Sequence, residues 1–377
     1  MDGILFRIMR SALAGLLCVI ALSCHEKDAE TDLQLVRAVD LTGMRIDVGE
    51  IIDSISYYPL ETDEKCLIGR FHRAALKDNH IFVQDNKQVY AFDSQGRFVA
   101  NIGRVGNGPG EYTHMDSFYV DEDADVVGVV EGWKERILYY DYQGNYLYSL
   151  SLDKKDARVI HRIMPLSDGR MLAHYVLPCD VFPNESIYKL FTVKGDRIVA
   201  EPLCEPCRFD LGEGGLHPWM NEAMVVYQGK CLVLNPVSLD ISCLDETGLL
   251  PKYRFDMCKE LPDETYIKNN WTGDVPSFMI GLIQAGKSLG LIEIYSDGKY
   301  VFLKQDYNGA TCIWDGEDAV LVGSLSCAER NVVAGGLTMG LSPDYLGHHS
   351  SHDGESNPVL YLYHFRDDLM DVLKAKK

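Results

Sequence analysis

The sequence predicts an all-β protein, a β-propeller of four-stranded antiparallel blades, and three observations carry that prediction. Two stretches about fifty residues apart repeat one pattern, "HIFVQDNKQVYAFDSQGRFVANIG" and "VVGVVEGWKERILYYDYQGNYLYSLS", and a period of this size fits one blade. Each carries Asp-x-x-Gly ahead of a strand with an aromatic residue, so that Asp93, Gly96 and Phe98 match Asp141, Gly144 and Tyr146. Between the two falls a glycine-rich stretch, "IGRVGNGPGEY".

The Asp-x-x-Gly element is a hairpin turn. Asp caps it with its side chain, and Gly takes the positive φ that other residues resist. Weaker echoes follow at "LFTVKGDRIVAEPL", with Gly195, and at "ISCLDETGLLPKYRF", with Asp245 and Gly248. "CIWDGEDAVLVGSL" and "NPVLYLYHF" offer strands to later units. One twisted blade cannot bury both faces alone, so blades stack around an axis, and the ring closes when strands from both termini share a blade. The run from Arg45 to Glu61 and the run from Asn357 to Phe365 are expected to lie in the same blade or in abutting ones.

The glycine-rich stretch invites a nucleotide, and the chemistry argues against one. A Walker loop ends in Gly-Lys-Ser/Thr, whereas Gly110 is followed by Glu111 and Tyr112, and a carboxylate repels polyphosphate. The dinucleotide alternative needs a helix after the glycines, but "THMDSFYVDEDADVVGVVEG" reads as strands and turns. Gly103, Gly106, Gly108 and Gly110 are therefore expected to carry the chain from one blade to the next, with Pro109 stiffening the path. Arg104 and Glu111 could form an ion pair that fixes it. No cofactor is expected.

At 377 residues and 46% hydrophobic composition the chain has a real core. Its 36 basic against 56 acidic residues give a net charge of -20, which argues against nucleic acid. Residues 1–23 read as a signal peptide: Arg7 and Arg10 precede an apolar run from Ser11 to Leu22 that is short for a bilayer span. Ala21, Leu22, Ser23 and Cys24 resemble a bacterial lipobox, in which Cys24 is lipidated and holds the protein to a membrane; a plain signal peptide is the alternative. Residues 24–44 are expected to be a flexible tether, opening with the polar "HEKDAETD", and residues 45–377 the folded domain. Eleven cysteines are present; with Cys18 in the signal and Cys24 lipidated, nine remain, and an odd number forbids complete pairing. Cys204 and Cys207, in "CEPC", lack the partners of a zinc or thioredoxin-like site and read as buried or loop-borne thiols.

The segment from Leu60 to Tyr112, with its Ile-Gly-x-x-Gly-x-Gly-Pro-Gly-Glu-Tyr element, resembles the opening blade of the six-bladed β-propeller lipoproteins of Bacteroidota, relatives of the NHL-repeat and TolB-like propellers. "NPVLYLYHF" is similar to that family's closing strand. The resemblance implies six blades and an outer-membrane lipoprotein facing the periplasm or the cell surface. It brings no agreed activity.

Candidate site residues lie in loops. "HHSSHDGE" gathers His348, His349, His352, Asp353 and Glu355, a set that could bind a divalent metal, although its loop setting favours a solvated turn. Trp133, Trp219, Trp271 and Trp314 could stack on sugar rings, or pack blades. Trp219, with His217 beside it in "GLHPWMNEA", and Arg104 in the glycine loop are the expected ligand contacts. No Gly-x-Ser-x-Gly or His-Glu-x-x-His motif occurs. A non-enzymatic lipoprotein binding a glycan, peptide or protein at the channel mouth is thus expected; the alternative is a metal-dependent propeller enzyme, a lactonase-like hydrolase or lyase.

Overall fold

The computed structural model describes residues 33–44, 46–175, 186–204, 220, 222–235, 237–257, 259–273, 275–305, 310–323, 326–327, 330–331, 338–340 and 357–377. The protein is mostly β. Two strands come first, β1 (Gln34–Leu41) and β2 (Ile52–Pro59), with the short helix α1 (Val48–Ile51) between them. A first antiparallel meander follows: β3 (Arg73–Lys77), β4 (His80–Gln84), β5 (Val89–Asp93) and β6 (Phe98–Ile102). The two-residue strands β7 (Arg104–Val105) and β8 (Glu111–Tyr112) pair within the glycine loop. The second meander is β9 (Ser117–Asp121), β10 (Val126–Glu131), β11 (Arg136–Tyr140) and β12 (Tyr146–Leu152). After α2 (Lys154–Ala157) comes the third: β13 (Ile160–Pro165), β14 (Met171–Tyr175), β15 (Tyr188–Lys194) and β16 (Arg197–Pro202). The fourth is β17 (Met224–Tyr227), β18 (Lys230–Leu234), β19 (Asp240–Asp245) and β20 (Gly248–Asp256). Two helices, α3 (Glu264–Asn270) and α4 (Val275–Gln284), precede the fifth: β21 (Glu293–Ser296), β22 (Val301–Lys304), β23 (Thr311–Trp314) and β24 (Ala319–Val322). The short strands β25 (Ser326–Cys327), β26 (Arg330–Asn331) and β27 (Thr338–Gly340) lead to β28 (Val359–Phe365) and α5 (Leu369–Lys374).

Three pairings bind these units together. The last strands of the second and third meanders pair in parallel, Ser151 with Arg197 and Leu152 with Ile198, giving an eight-stranded sheet. The fourth and fifth are joined through β1, which pairs in parallel with β20 over Gln34–Arg37 and with β24 over Ala38–Leu41, giving a nine-stranded sheet. Residues 34–41, expected to belong to the tether, are thus a strand. Burying Val36 and Leu41 and covering two sheet edges at once outweighs the polarity of the neighbouring segment. Finally β2 pairs with β28, Tyr57 opposite Tyr361 and Pro59 opposite Val359, and β28 with β27. The two terminal runs therefore share one sheet, as expected.

The central strands read as unbroken apolar runs because neighbouring units cover both their faces; all of Val126–Glu131 is buried. One buried cluster joins β2's exit and β28 to the first meander through Leu60, Leu360, Ile81 and Val83. Another joins the first to the second through Phe82, Ile102, Phe118 and Val127. The largest runs from the second to the fifth meander, and a further one ties the fifth to β28 and α5 through Phe302, Tyr363 and Leu369. Trp314 sits in the core, 1% exposed, with the rings of Tyr227, Tyr253 and Phe255 at 5.7, 4.7 and 5.5 Å. It packs sheets rather than offering a platform. Trp271 lies edge-on to Phe278 in the helical pair, while Trp133 is exposed under the Arg158 guanidinium. Among the described residues no helix is long and apolar enough to cross a membrane.

Candidate functional site

The first strands of successive meanders face a common cavity of about 430 Å³. On β3 the alternate residues Arg73, Ala75 and Lys77 line it, as the two-residue period of a strand requires. β9 and its following turn contribute Phe118 to Asp123, β13 contributes Arg162 to Pro165, and Glu222, Met224 and Val226 come from β17 and its approach. Register places these groups along the cavity. Arg73 lies level with Phe118, since its Nη1 donates to the Phe118 carbonyl at 3.1 Å. Lys77 lies level with Glu122, to which it is paired at 2.9 Å. Four residues of strand separate the two ends by roughly 13 Å.

Among the described residues the basic groups of the cavity are ion-paired with one exception. Arg162, largely buried, is ion-paired to Glu222. The Glu222 backbone in turn bridges to β21, where Ile294 N–H donates to the Glu222 carbonyl at 2.8 Å, and Glu293 meets Lys304 at 3.0 Å. Arg73 is the exception. Its guanidinium lies 5.3 Å from the centre of the Phe118 ring and has no carboxylate partner among the described residues. Burial alone draws its pKa down from 12.5 to about 10. No signal of ligand spacing marks these positions in the sequence. The usable sign is a basic residue in a first strand, as at Arg73, Lys77 and Arg162.

The glycine loop is a structural joint. Gly103 and Gly110 hold φ of +72° and +71°, in the left-handed region that favours glycine. Gly106 and Gly108 do not; there the demand is proximity, because the Glu111 carboxylate folds back over both and accepts the Gly108 N–H at 2.7 Å. The Arg104–Glu111 ion pair is therefore not formed. Glu111 spends its charge on the loop's own backbone, while exposed Arg104 pairs with it only through the β7–β8 backbone register. Pro109 is exposed at the tip. Tyr112 is fully buried, its hydroxyl donating to the Ile102 carbonyl at 3.1 Å. The next residue, Thr113, donates through N–H and hydroxyl to Glu131 at 2.6 and 2.8 Å.

Of the residues expected to touch a ligand, Arg104 does not line the cavity between the first strands. His217, Trp219, His348, His349, His352, Asp353, Glu355, Cys207 and Cys24 lie outside the described residues. Cys204 is a free thiol 3.1 Å from the Ser186 hydroxyl.

These elements define a mostly β protein whose antiparallel meanders turn their first strands towards a charged cavity. The chain belongs to the family described as Domain of unknown function (DUF4934), whose model matches residues 34–326. Among solved structures it is similar to a protein of Bacteroides fragilis described as exported, with a TM-score of 0.66 and 15% identity over 89% of this chain and 100% of that one. It is also similar to a DUF4221 family member from Bacteroides vulgatus, with a TM-score of 0.53 and 8% identity over 84% and 97% of the two chains. At such identities the likeness is one of fold. A search among curated proteins found no match.

Proposed function

We propose that the chain is an exported, lipid-anchored protein of the cell envelope, that its meanders and closing sheet are the blades of a six-bladed β-propeller, and that it binds a glycan, peptide or protein partner where the first strands meet. The signal-like N-terminus ending at Cys24 and the fold shared with an exported Bacteroides protein support the location. The buried clusters that link each unit to the next, and the fifth to the sheet of β2 and β28, support the architecture. One observation carries the binding role: a cavity of about 430 Å³, within the range of small-ligand sites, walled by four meanders and carrying charged side chains at both ends.

Val226 lines that cavity and is 48% exposed, so a larger side chain there fills space without disturbing the core. Glycan and peptide arrays probed with the purified protein and with Val226→Trp test the proposal. Binding to one ligand class, lost in the variant while its melting temperature is kept, is the expected result. Equal binding by both proteins would remove the cavity from consideration.

A further inference from the structure

The cavity's charges are unequally spent. Lys77 is matched by Glu122, and Arg162 by Glu222 through Nη2 alone, its Nε and Nη1 finding no hydrogen-bond partner among the described residues. Asp121 and Asp123 flank Glu122 at the Lys77 end, and the Asp121 carboxylate accepts the Ala124 N–H at 3.2 Å. At the other end Arg73 makes one hydrogen bond, to the neutral Phe118 carbonyl, so most of its five N–H donors are left over. Arg73 is half-buried and lines the cavity, so the donors it does not use at Phe118 can reach a ligand there. The lining between the two ends includes the apolar Ala75, Val120, Met164, Met224 and Val226, and the Arg162–Glu222 pair also faces the cavity.

Resting on the binding role given above, we propose that Arg73 receives the carboxylate of a small organic acid whose uncharged body lies along the apolar wall of the cavity. A planar guanidinium takes a carboxylate through two parallel hydrogen bonds. Phe118 holds the guanidinium in place from its ring face. The acidic groups at the Lys77 end make the polarity directional: an acid enters with its carboxylate towards Arg73 and its neutral end towards Glu122. Arg73 keeps its charge at neutral pH although burial draws its pKa down, and a bound carboxylate would raise that pKa again.

The test is calorimetric titration of the purified protein with hexanoate and glucuronate, each beside a neutral counterpart, hexanamide and glucose. Both acids could supply the same carboxylate; stronger binding of hexanoate assigns an apolar acid, and stronger binding of glucuronate a sugar acid. At least one acid is expected to bind at least tenfold more tightly than its neutral counterpart. Arg73→Met should remove that preference without lowering the melting temperature, and Arg73→Lys should keep part of it. If neither acid binds at 10 mM, or Arg73→Met melts several degrees lower, the residue serves the fold and the proposal falls. If acids and neutral compounds bind alike and Val226→Trp abolishes both, the cavity stands and the carboxylate assignment fails. Acid binding that survives Val226→Trp would instead sink the cavity role itself.

Discussion

Glu131 is where the glycine loop is fastened, and replacing it with Gln tests how. The side chain is fully buried at the end of β10. One carboxylate oxygen accepts the Thr113 N–H and hydroxyl, and the other takes Arg136 at 2.8 Å through Nε and 2.6 Å through Nη2. Arg136 continues to the Glu111 carbonyl at 2.8 Å, so one carboxylate ties the loop exit to the second meander. Burial works to raise the Glu131 pKa, but the Thr113 and Arg136 hydrogen bonds outweigh it and hold the group below its ordinary 4.5. Gln keeps one oxygen for Thr113 and turns an amide NH₂ towards a guanidinium. Breaking a fully buried pair costs about 3–5 kcal/mol. Arg136 keeps about a quarter of its side chain in water, which discounts the loss to about 2–3 kcal/mol. With an unfolding entropy near 2.1 cal/mol/K per residue, that lowers Tm by roughly 3–4 °C for a domain of this size.

The pH dependence has a definite sign. A carboxylate whose pKa is depressed on folding contributes stability that is complete above its unfolded value and fades as pH falls through the folded one. Denaturant unfolding of Glu131→Gln beside the wild type should therefore show the full gap at pH 7, with the gap narrowing below about pH 4.5 as the wild-type group protonates. A variant within 1 °C of wild type at pH 7, or a gap that does not change with pH, would refute an ionised clamp.

Gly144→Ala should destabilise by about 2–4 kcal/mol, because φ is +78° and the new Cβ would lie 2.1 Å from the Asn101 carbonyl oxygen. Gly195→Ala, at φ +68° with open space around it, should lose only about 1 kcal/mol; equal shifts in denaturant midpoint would show that backbone conformation, not the contact, sets the cost. Cys24→Ser should release the protein from membrane fractions and block signal processing at that residue. Unchanged fractionation and processing would dispose of the lipid anchor.

What could be read in the sequence is what local chemistry dictates. Asp93 and Asp141 each accept the N–H groups two and four residues on, at 2.8–3.0 Å, and Gly96 and Gly144 both stand at φ +78°. Turn chemistry of this kind needs four or five consecutive residues and is visible in them. The glycine loop was half legible: Gly103 and Gly110 need the left-handed region, but nothing local says that Gly106 and Gly108 make room for Glu111. β1 was hidden because its partners lie more than two hundred residues away and neither pairs through a turn. The blurred repeat in the second half has a cause in α3 and α4, helices set between the fourth and fifth meanders. The cavity charges escaped because each first strand supplies only one or two of them, and only the fold brings them together.

The packing around the two repeated turns says what β2 is. A Cβ on Gly144, in the β11–β12 turn, would meet the carbonyl of Asn101 on β6, the last strand of the meander before it. A Cβ on Gly96, in the β5–β6 turn, would meet the carbonyl of Pro59 on β2 at the same 2.1 Å. β2 thus stands to the first meander as β6 stands to the second, in the place of a last strand whose own unit must lie before β3. Its sheet partners come from the other end of the chain, β28 and then β27. Asn357, just ahead of β28 and almost fully buried, makes the joint specific. Its amide nitrogen donates to the carbonyls of Glu61 and Cys66 at 2.6 and 2.8 Å, and its oxygen accepts the Ile68 N–H at 2.8 Å. A one-residue slip between β2 and β28 would turn every side chain to the other face, Leu360 and Tyr363 of the core included. Three hydrogen bonds from one buried amide to the segment after β2 fix the register, so the union of the two ends is specified by a side chain as well as by the ladder.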